Sequence, residues 1–176
     1  MASREEVYRK FGMAAEAAQL LETELGTLLI GMRGLSSDWH ISAPDRETGT
    51  KAVAEIDAQT LGSMLKVLRN MAQVDDVMTS KLTSALKARN RLIHGFYERH
   101  NFKIDTDAGR DVMMTDLDSL HEELFHAWRL ASAMSDTFLS IFNDLKKRQV
   151  GVAKIGEYLA EFGVEKRTTA AEFARD

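Results

Sequence analysis

The chain has 176 residues and no cysteine, which excludes disulfides and thiolate-bound metals. Its formal net charge of −4 excludes nucleic-acid binding through bulk positive charge, and no stretch approaches the ~20 apolar residues that span a bilayer. One proline among abundant alanine, leucine, methionine, glutamate and lysine favours an all-helical fold, because proline disrupts helix interiors.

The first predicted element is a long amphipathic helix. Ser3 with Glu6 has the spacing of a capping box at a helix start. Apolar residues from Val7 to Met32 then recur at alternating spacings of four and three, which is typical of one face of a bundle helix. Gly31 and Gly34 are predicted to end it.

The next segment, 33–57, follows no helical or strand period and contains the single proline, Pro44. It is predicted to be one long loop, longer than most connections in compact domains. Trp39 and His40 within it either pack the loop against the body or contact a partner.

Two shorter helices are predicted to follow, one over residues 57–71 and one from Asp75 to Tyr97. Leucines at helical spacing face inward in the first, and Asp75 suits the positive end of a helix dipole in the second. Gly95 marks a point where the second can kink or break.

The last long helix is predicted after a turn at residues 101–114. Thr115 with Asp118 is expected to cap its start, and the cations at 146–148 favour its C-terminus. A short tail helix is predicted near residues 152–162, with a further cap at Thr169. The sequence thus predicts an all-α, antiparallel bundle of four to five helices forming a single domain over 1–176, with a long loop at 33–57 and the tail helix within 150–176.

Positive charge is concentrated in one part of this acidic chain. Six Lys or Arg and one acid lie between Lys81 and Lys103, a local charge of +5 that leaves −9 on the rest. A basic island of this kind indicates a site for a negatively charged partner, although a solvated helix face would have the same composition.

The island contains a cluster of polar residues at helical spacing. Asn90, His94 and Tyr97 are spaced i, i+4, i+7 and share one helix face. Arg89 and His94 are five apart, which places them about 140° apart on an unbroken helix, although a long arginine can reach a shared groove. Arg89, Asn90 and His94 are therefore the candidate catalytic residues.

These residue types suit cleavage of an RNA phosphodiester without a metal. Histidine transfers protons near neutral pH, so it can act as acid or base on the 2′-hydroxyl or the leaving oxygen. Arginine can stabilise charge that develops on the phosphoryl group, and asparagine can orient either residue. By composition alone, such a cluster is also ordinary polar helix surface.

The stretch Arg89-Asn90-Arg91-Leu92-Ile93-His94 resembles the R-N-x-x-x-H motif of the HEPN (higher eukaryotes and prokaryotes nucleotide-binding) superfamily. The similarity to the motif covers about ten residues, and the helical arrangement around it resembles the family over most of the chain. Its extended form is similar to the HEPN toxins of bacterial HEPN/MNT toxin–antitoxin pairs. Tyrosine stands two residues after the histidine in those toxins; here Phe96 does, with Tyr97 next, so modification of that tyrosine is not implied.

The resemblance implies a metal-independent endoribonuclease that leaves a 2′,3′-cyclic phosphate and a 5′-hydroxyl. It also implies a homodimer in which two motifs form one cleft, and a cytoplasmic toxin or phage-defence component with a cognate antitoxin. Carried over residue by residue, Arg89 stabilises the phosphate, His94 is the acid–base residue and Asn90 orients them. No cofactor is expected.

Further residues of the island are predicted to bind RNA, through their positive charge or by stacking on a base. They are Lys87, Arg91, Tyr97, Arg99 and Lys103. Ion pairs between Arg99 or Lys103 and the acids that follow are the alternative. No metal site is expected, because the spacing of His121 and His126 is poor for a shared helical site.

Two other functions remain open at this stage. A HEPN-type module that binds a nucleotide or RNA end without cleaving it would keep Arg89 and the basic island. A helical interaction protein would use the seam from Val7 to Met32 for assembly and would tolerate loss of Arg89 and His94.

Overall fold

In a computed structural model that describes residues 1–71, 76–155 and 157–158, the described chain contains helices and turns but no strand. The α-helices are α1 (Arg4–Ser36), α2 (Arg46–Asp57), α3 (Leu61–Met71), α4 (Asp76–Asn90), α5 (Phe96–Arg99) and α6 (Asp107–Arg148). A π-helical segment, Arg91–Gly95, joins α4 to α5, and 3₁₀ turns lie at Lys103–Asp105 and Val152–Lys154. The all-helical prediction is confirmed. The helix start predicted at Asp75, residues 156 and 159–162 of the predicted tail helix and the cap at Thr169 lie outside the described residues.

Helix α1 begins as predicted but continues further. The Ser3 side chain accepts a hydrogen bond from the Glu6 amide, and Glu6 accepts one from the Ser3 amide. The prediction that Gly31 and Gly34 end the helix is wrong. A Cβ atom at Gly31 would lie 2.7 Å from the Phe138 ring, and one at Gly34 would lie 3.1 Å from Trp39. Both glycines therefore allow large aromatic side chains to pack directly on α1.

The predicted loop at 33–57 is wrong over most of its length, because α1 extends into it and α2 occupies its second half. Asp45 caps α2 by accepting a hydrogen bond from the Thr48 amide at 2.7 Å. Only Ala52 and Ile56 of this helix are buried, so no periodic apolar pattern marks it in the sequence.

Helix α6 begins nine residues before the predicted start. Thr106, rather than Thr115, is the capping residue and accepts a hydrogen bond from the Gly109 amide at 3.1 Å. The residues predicted to form a turn at 101–114 therefore divide between a short connection and the first two turns of α6, which bury Met113. The helix ends at Arg148, as the cationic last turn predicted.

The two long helices, α1 and α6, run parallel. Lys10 forms an ion pair with Asp118 near their beginnings, while Gly31 faces Phe138 near their ends. The helices alternate in direction when the short α5 is counted as a continuation of α4, but α2 adds one reversal that the predicted four-helix order lacked. The first and last helices are consequently parallel instead of antiparallel.

Helix α4 packs against α6 and runs opposite to it, while α1 meets the chain here at the end of α4 and at the π segment that follows. Ser84 of α4 donates a hydrogen bond to Glu123, while Arg91, just after α4, reaches the earlier residue Asp116 of α6. Most of the shared core is leucine and alanine from α1, α3, α4 and α6; Val7, Ile56, Met64, Leu92, Phe96 and Met113 complete it. No helix in the described ranges is long and apolar enough to cross a membrane.

Candidate functional site

The candidate site lies where α4 changes into the π-helical segment. A π-turn closes through i→i+5 hydrogen bonds, one residue more than an α-turn, so residues five apart come round to the same face. Arg89 and His94 have this spacing. The π segment therefore removes the ~140° separation expected for an unbroken α-helix.

Arg89 is the centre of the site. Its Nη1 atom lies 3.2 Å from His94 Nε2 and donates to Asn90 Oδ1 at 3.3 Å. Its Nε atom donates to Glu22 Oε1 of α1 at 2.7 Å. Within the described chain, Nη2 makes no hydrogen bond. The three residues predicted to be catalytic are thus brought together, and one guanidinium N–H group remains directed away from these partners.

Glu22 is a member of the site that the sequence analysis missed. It lies 67 positions before Arg89 and contacts it only because α1 packs against α4. The two side chains are partly buried, at 26% exposure for Arg89 and 31% for Glu22. By fixing Nε, the carboxylate limits rotation of the guanidinium and keeps Nη1 beside the imidazole.

The contact between Arg89 and His94 determines the proton arrangement of the imidazole. Arginine has only donors, so a hydrogen bond between these two atoms requires His94 Nε2 as the acceptor, which is the tautomer with the ring proton on Nδ1. His94 and Asn90 are exposed to solvent while Arg89 is partly covered. A proton acceptor, a fixed cation and an amide therefore share one accessible surface.

Asp116 of α6 holds both sides of the π segment. One carboxylate oxygen accepts from Arg91 Nη2 at 2.9 Å, and the other lies 2.7 Å from Nε2 of the buried His100. Lys103 Nζ is 3.5 Å from the other ring nitrogen of His100. Arg91 and Lys103, both predicted to bind RNA, are thus engaged with other residues of the fold.

The other predicted RNA-binding residues are more open. Lys87 and Arg99 are exposed and form no ion pair within the described ranges. Tyr97 is 47% exposed, and its ring packs against Phe11 and Phe96. Partial burial, and secondarily Tyr8, raises the pKa of Tyr97, so its hydroxyl stays protonated at neutral pH. Phe96 itself is buried in the core.

The remaining histidines lie elsewhere. His40 is buried and its Nε2 is 2.8 Å from the Val150 carbonyl oxygen, which ties the α1–α2 connection to the C-terminal turn. His121 faces Lys10, and His126 is exposed on α6. No group of three or more histidine or acidic side chains in the described part of the chain is arranged to hold a metal ion.

Comparison of the chain with protein-family models, with curated proteins and with solved structures gives no match. The case for a function therefore depends on the geometry around Arg89 and on the motif that contains it.

Proposed function

We propose that this protein is a metal-independent endoribonuclease of HEPN type, in which Arg89 and His94 act on an RNA phosphodiester. The observation that carries the proposal is the 3.2 Å contact between Arg89 Nη1 and His94 Nε2 on an accessible surface. The π segment Arg91–Gly95 brings these two residues closer to one face, and such segments are frequent at functional sites.

The proposed reaction begins with His94 as base. Its Nε2 lone pair, which accepts from Arg89 in the free protein, takes the proton of the ribose 2′-hydroxyl. The 2′-oxygen forms a bond to phosphorus, the bond to the 5′-oxygen breaks, and that oxygen takes up a proton from solvent. The products are a 2′,3′-cyclic phosphate and a 5′-hydroxyl end.

Arg89 has a different role in the same step. Its Nη1 and Nη2 groups donate to the phosphoryl oxygens as negative charge builds up on them. Glu22 is a positioning residue that aims the guanidinium through Nε, and Asn90 orients the same group from its neighbouring position. Exposed Lys87 and Arg99 supply further positive charge for the RNA backbone.

The motif's resemblance to HEPN toxins extends the proposal beyond one chain. A homodimer would bring two copies of the Arg89–His94 pair to one cleft. A cytoplasmic toxin or phage-defence role with a cognate antitoxin is part of the same proposal.

The test is cleavage of end-labelled RNA in the presence of EDTA. Wild type is expected to leave cyclic-phosphate ends. His94→Ala is expected to lower the rate by roughly 10²–10⁴-fold and Arg89→Ala by roughly 10²–10³-fold. His126→Ala, which removes an exposed histidine elsewhere, serves as the matched control, and circular dichroism checks that each variant is folded.

Three results would argue against the proposal. They are intact RNA with folded wild-type dimer, activity that survives in His94→Ala, and loss of activity in EDTA. Binding of RNA through Arg89 without cleavage would favour the non-catalytic module. Retention of a protein partner after loss of both Arg89 and His94 would favour the helical interaction protein.

A further inference from the structure

A polar cavity lies beside the Arg89 pair. It has a volume of about 350 Å³ and opens between α1, the end of α2 and the start of α3. Glu22, which holds Arg89, is also one of its lining residues. The cavity is therefore joined to the candidate cleavage site through the Glu22 side chain.

Three side chains with acceptor oxygens, Glu22, Asp57 and Gln59, line this cavity together with the hydroxyl-bearing Thr23 and Thr27. Asp57, at the end of α2, is exposed and forms no ion pair within the described residues. Gln59 contributes a buried Oε1 atom that has no hydrogen-bond partner there. Glu22 uses Oε1 for Arg89, and its Oε2 atom makes no hydrogen bond in the same ranges. A ligand that satisfies these oxygens must present several N–H groups.

The rest of the lining suits a flat ring. Met64 of α3 and Ile30 of α1 give the cavity apolar walls, and Gly26 leaves one wall without a side chain. No lysine or arginine is among the described lining residues, and Arg89 is linked to the cavity through its hydrogen bond to Glu22. A neutral heterocycle suits the apolar walls of the cavity, and a phosphate attached to it and directed toward Arg89 suits the positive charge of that residue.

Among the four RNA bases, guanine has the matching edge. Its N1–H and N2–H₂ groups are adjacent donors, which a carboxylate can accept together. Adenine and cytosine each offer one exocyclic amino group beside a ring acceptor, and uracil offers one N–H between two carbonyl oxygens. With any of these three bases, an acceptor oxygen of Asp57 or Gln59 would face either no N–H group or another acceptor atom of the base.

We infer that the cavity between Glu22, Asp57 and Gln59 is a base-specificity pocket that binds guanine beside the scissile phosphate. The assignment rests on the proposed ribonuclease function, because the Arg89–His94 pair is the group that would cleave the phosphate next to the bound base. The exposed carboxylate of Asp57 reads N1–H and N2–H₂, and the amide of Gln59 accepts a further N–H group.

The test measures binding without cleavage. Full-length protein carrying His94→Ala is titrated calorimetrically with GMP, AMP, CMP and UMP. GMP is expected to bind about tenfold or more tightly than each of the others. Asp57→Asn is expected to remove that preference because asparagine cannot accept both N–H groups. Glu47→Gln, on the same helix but outside the cavity, is expected to keep it.

The outcomes separate the pocket from the catalytic proposal. Equal affinity for the four nucleotides, or a GMP preference that survives in Asp57→Asn, overturns the pocket whatever the protein does to RNA. Selective GMP binding combined with uncut RNA supports the pocket and overturns the ribonuclease. If RNA is cut, wild type is expected to cleave next to guanosine. Asp57→Asn is expected to cleave without preference for any base.

Discussion

At the scale of single residues, the glycines of the two long helices meet very different surroundings. A Cβ atom at Gly109 would lie 2.1 Å from the Lys103 carbonyl oxygen, a backbone atom that cannot move aside without changing the turn before α6. Gly109→Ala is expected to destabilise the fold by roughly 1–3 kcal/mol through overpacking. Urea unfolding followed by circular dichroism measures the change.

The matched control for this prediction is Gly12 in α1, where nothing lies within 4 Å of an added Cβ atom. Gly12→Ala is expected to stabilise the protein by roughly 0.5–1 kcal/mol, because alanine loses less conformational freedom in a helix. Unfolding midpoints that shift in the same direction for both variants would contradict the steric account of Gly109.

His121 gives a residue-scale prediction about pH. Burial, and secondarily the nearby Lys10, lowers the pKa of His121. The unfolded chain therefore binds more protons at this site than the folded chain does. The resulting stability is present in full above the unfolded pKa of about 6.5 and is lost as pH falls through the lower, folded pKa.

The variant His121→Gln isolates that contribution. From pH 7.5 to pH 5, wild type is expected to lose more unfolding free energy than the variant, because glutamine takes up no proton in this range. His126→Gln, at an exposed histidine, should follow wild type. Parallel pH curves for wild type and His121→Gln would show that His121 makes no such contribution.

The sequence identified the parts of the site that are close together in the chain. Arg89, Asn90 and His94 lie within six residues, and their types suit proton transfer and phosphate binding. Glu22 and Asp116 were missed because each acts across helix–helix contacts, and acidic residues are common on exposed helix faces. Only the packing of α1 and α6 against α4 selects these two.

At the scale of elements, the π segment Arg91–Gly95 is held by a bridge to α6. Asp116 contacts Arg91, its first residue, and His100, which follows α5. Asp116→Ala is expected to cost roughly 1–3 kcal/mol, since the buried His100 loses its hydrogen-bond partner. Faster amide hydrogen exchange should appear in the π segment, and RNA cleavage should fall with it.

Glu122→Ala is the control for the bridge, because Glu122 is exposed on α6 near Asp116. It should leave both stability and hydrogen exchange close to wild type. If Asp116→Ala lowered stability while the π-segment amides exchanged at the wild-type rate, Asp116 would be a core residue with no role in holding the site.

The elements themselves were predictable where an apolar face is continuous. Helix α1 buries a long series of residues and was predicted nearly in full, whereas α2 buries only two and was taken as loop. The start of α6 was missed because Thr115 and Asp118 mimic a cap inside a helix. The π segment was not predictable, since it differs from α-helix in hydrogen bonding and not in residue type.

At the scale of the whole molecule, one missed helix changes the topology. An additional reversal at α2 makes α1 and α6 parallel, and their contact forms the long side of the bundle. Glu22 lies near the middle of α1 and Asp116 in the first third of α6, and both are beside the end of α4 and the π segment. Glu22 and Asp116 can therefore reach the site from different helices.

The charge distribution of the whole molecule predicts how RNA affinity depends on salt. The island at residues 81–103 carries +5, whereas the remaining chain carries −9 and repels RNA. Each neutralised phosphate of single-stranded RNA contributes about −0.7 to the slope of log affinity against log salt.

In a His94→Ala background, Lys87→Gln is expected to reduce the magnitude of that slope by about 0.7. Lys147→Gln, about 46 Å further along α6 than Asp116, should leave it unchanged. Equal reductions from both lysines would mean that RNA follows the whole surface, and the island would then have no special part in binding.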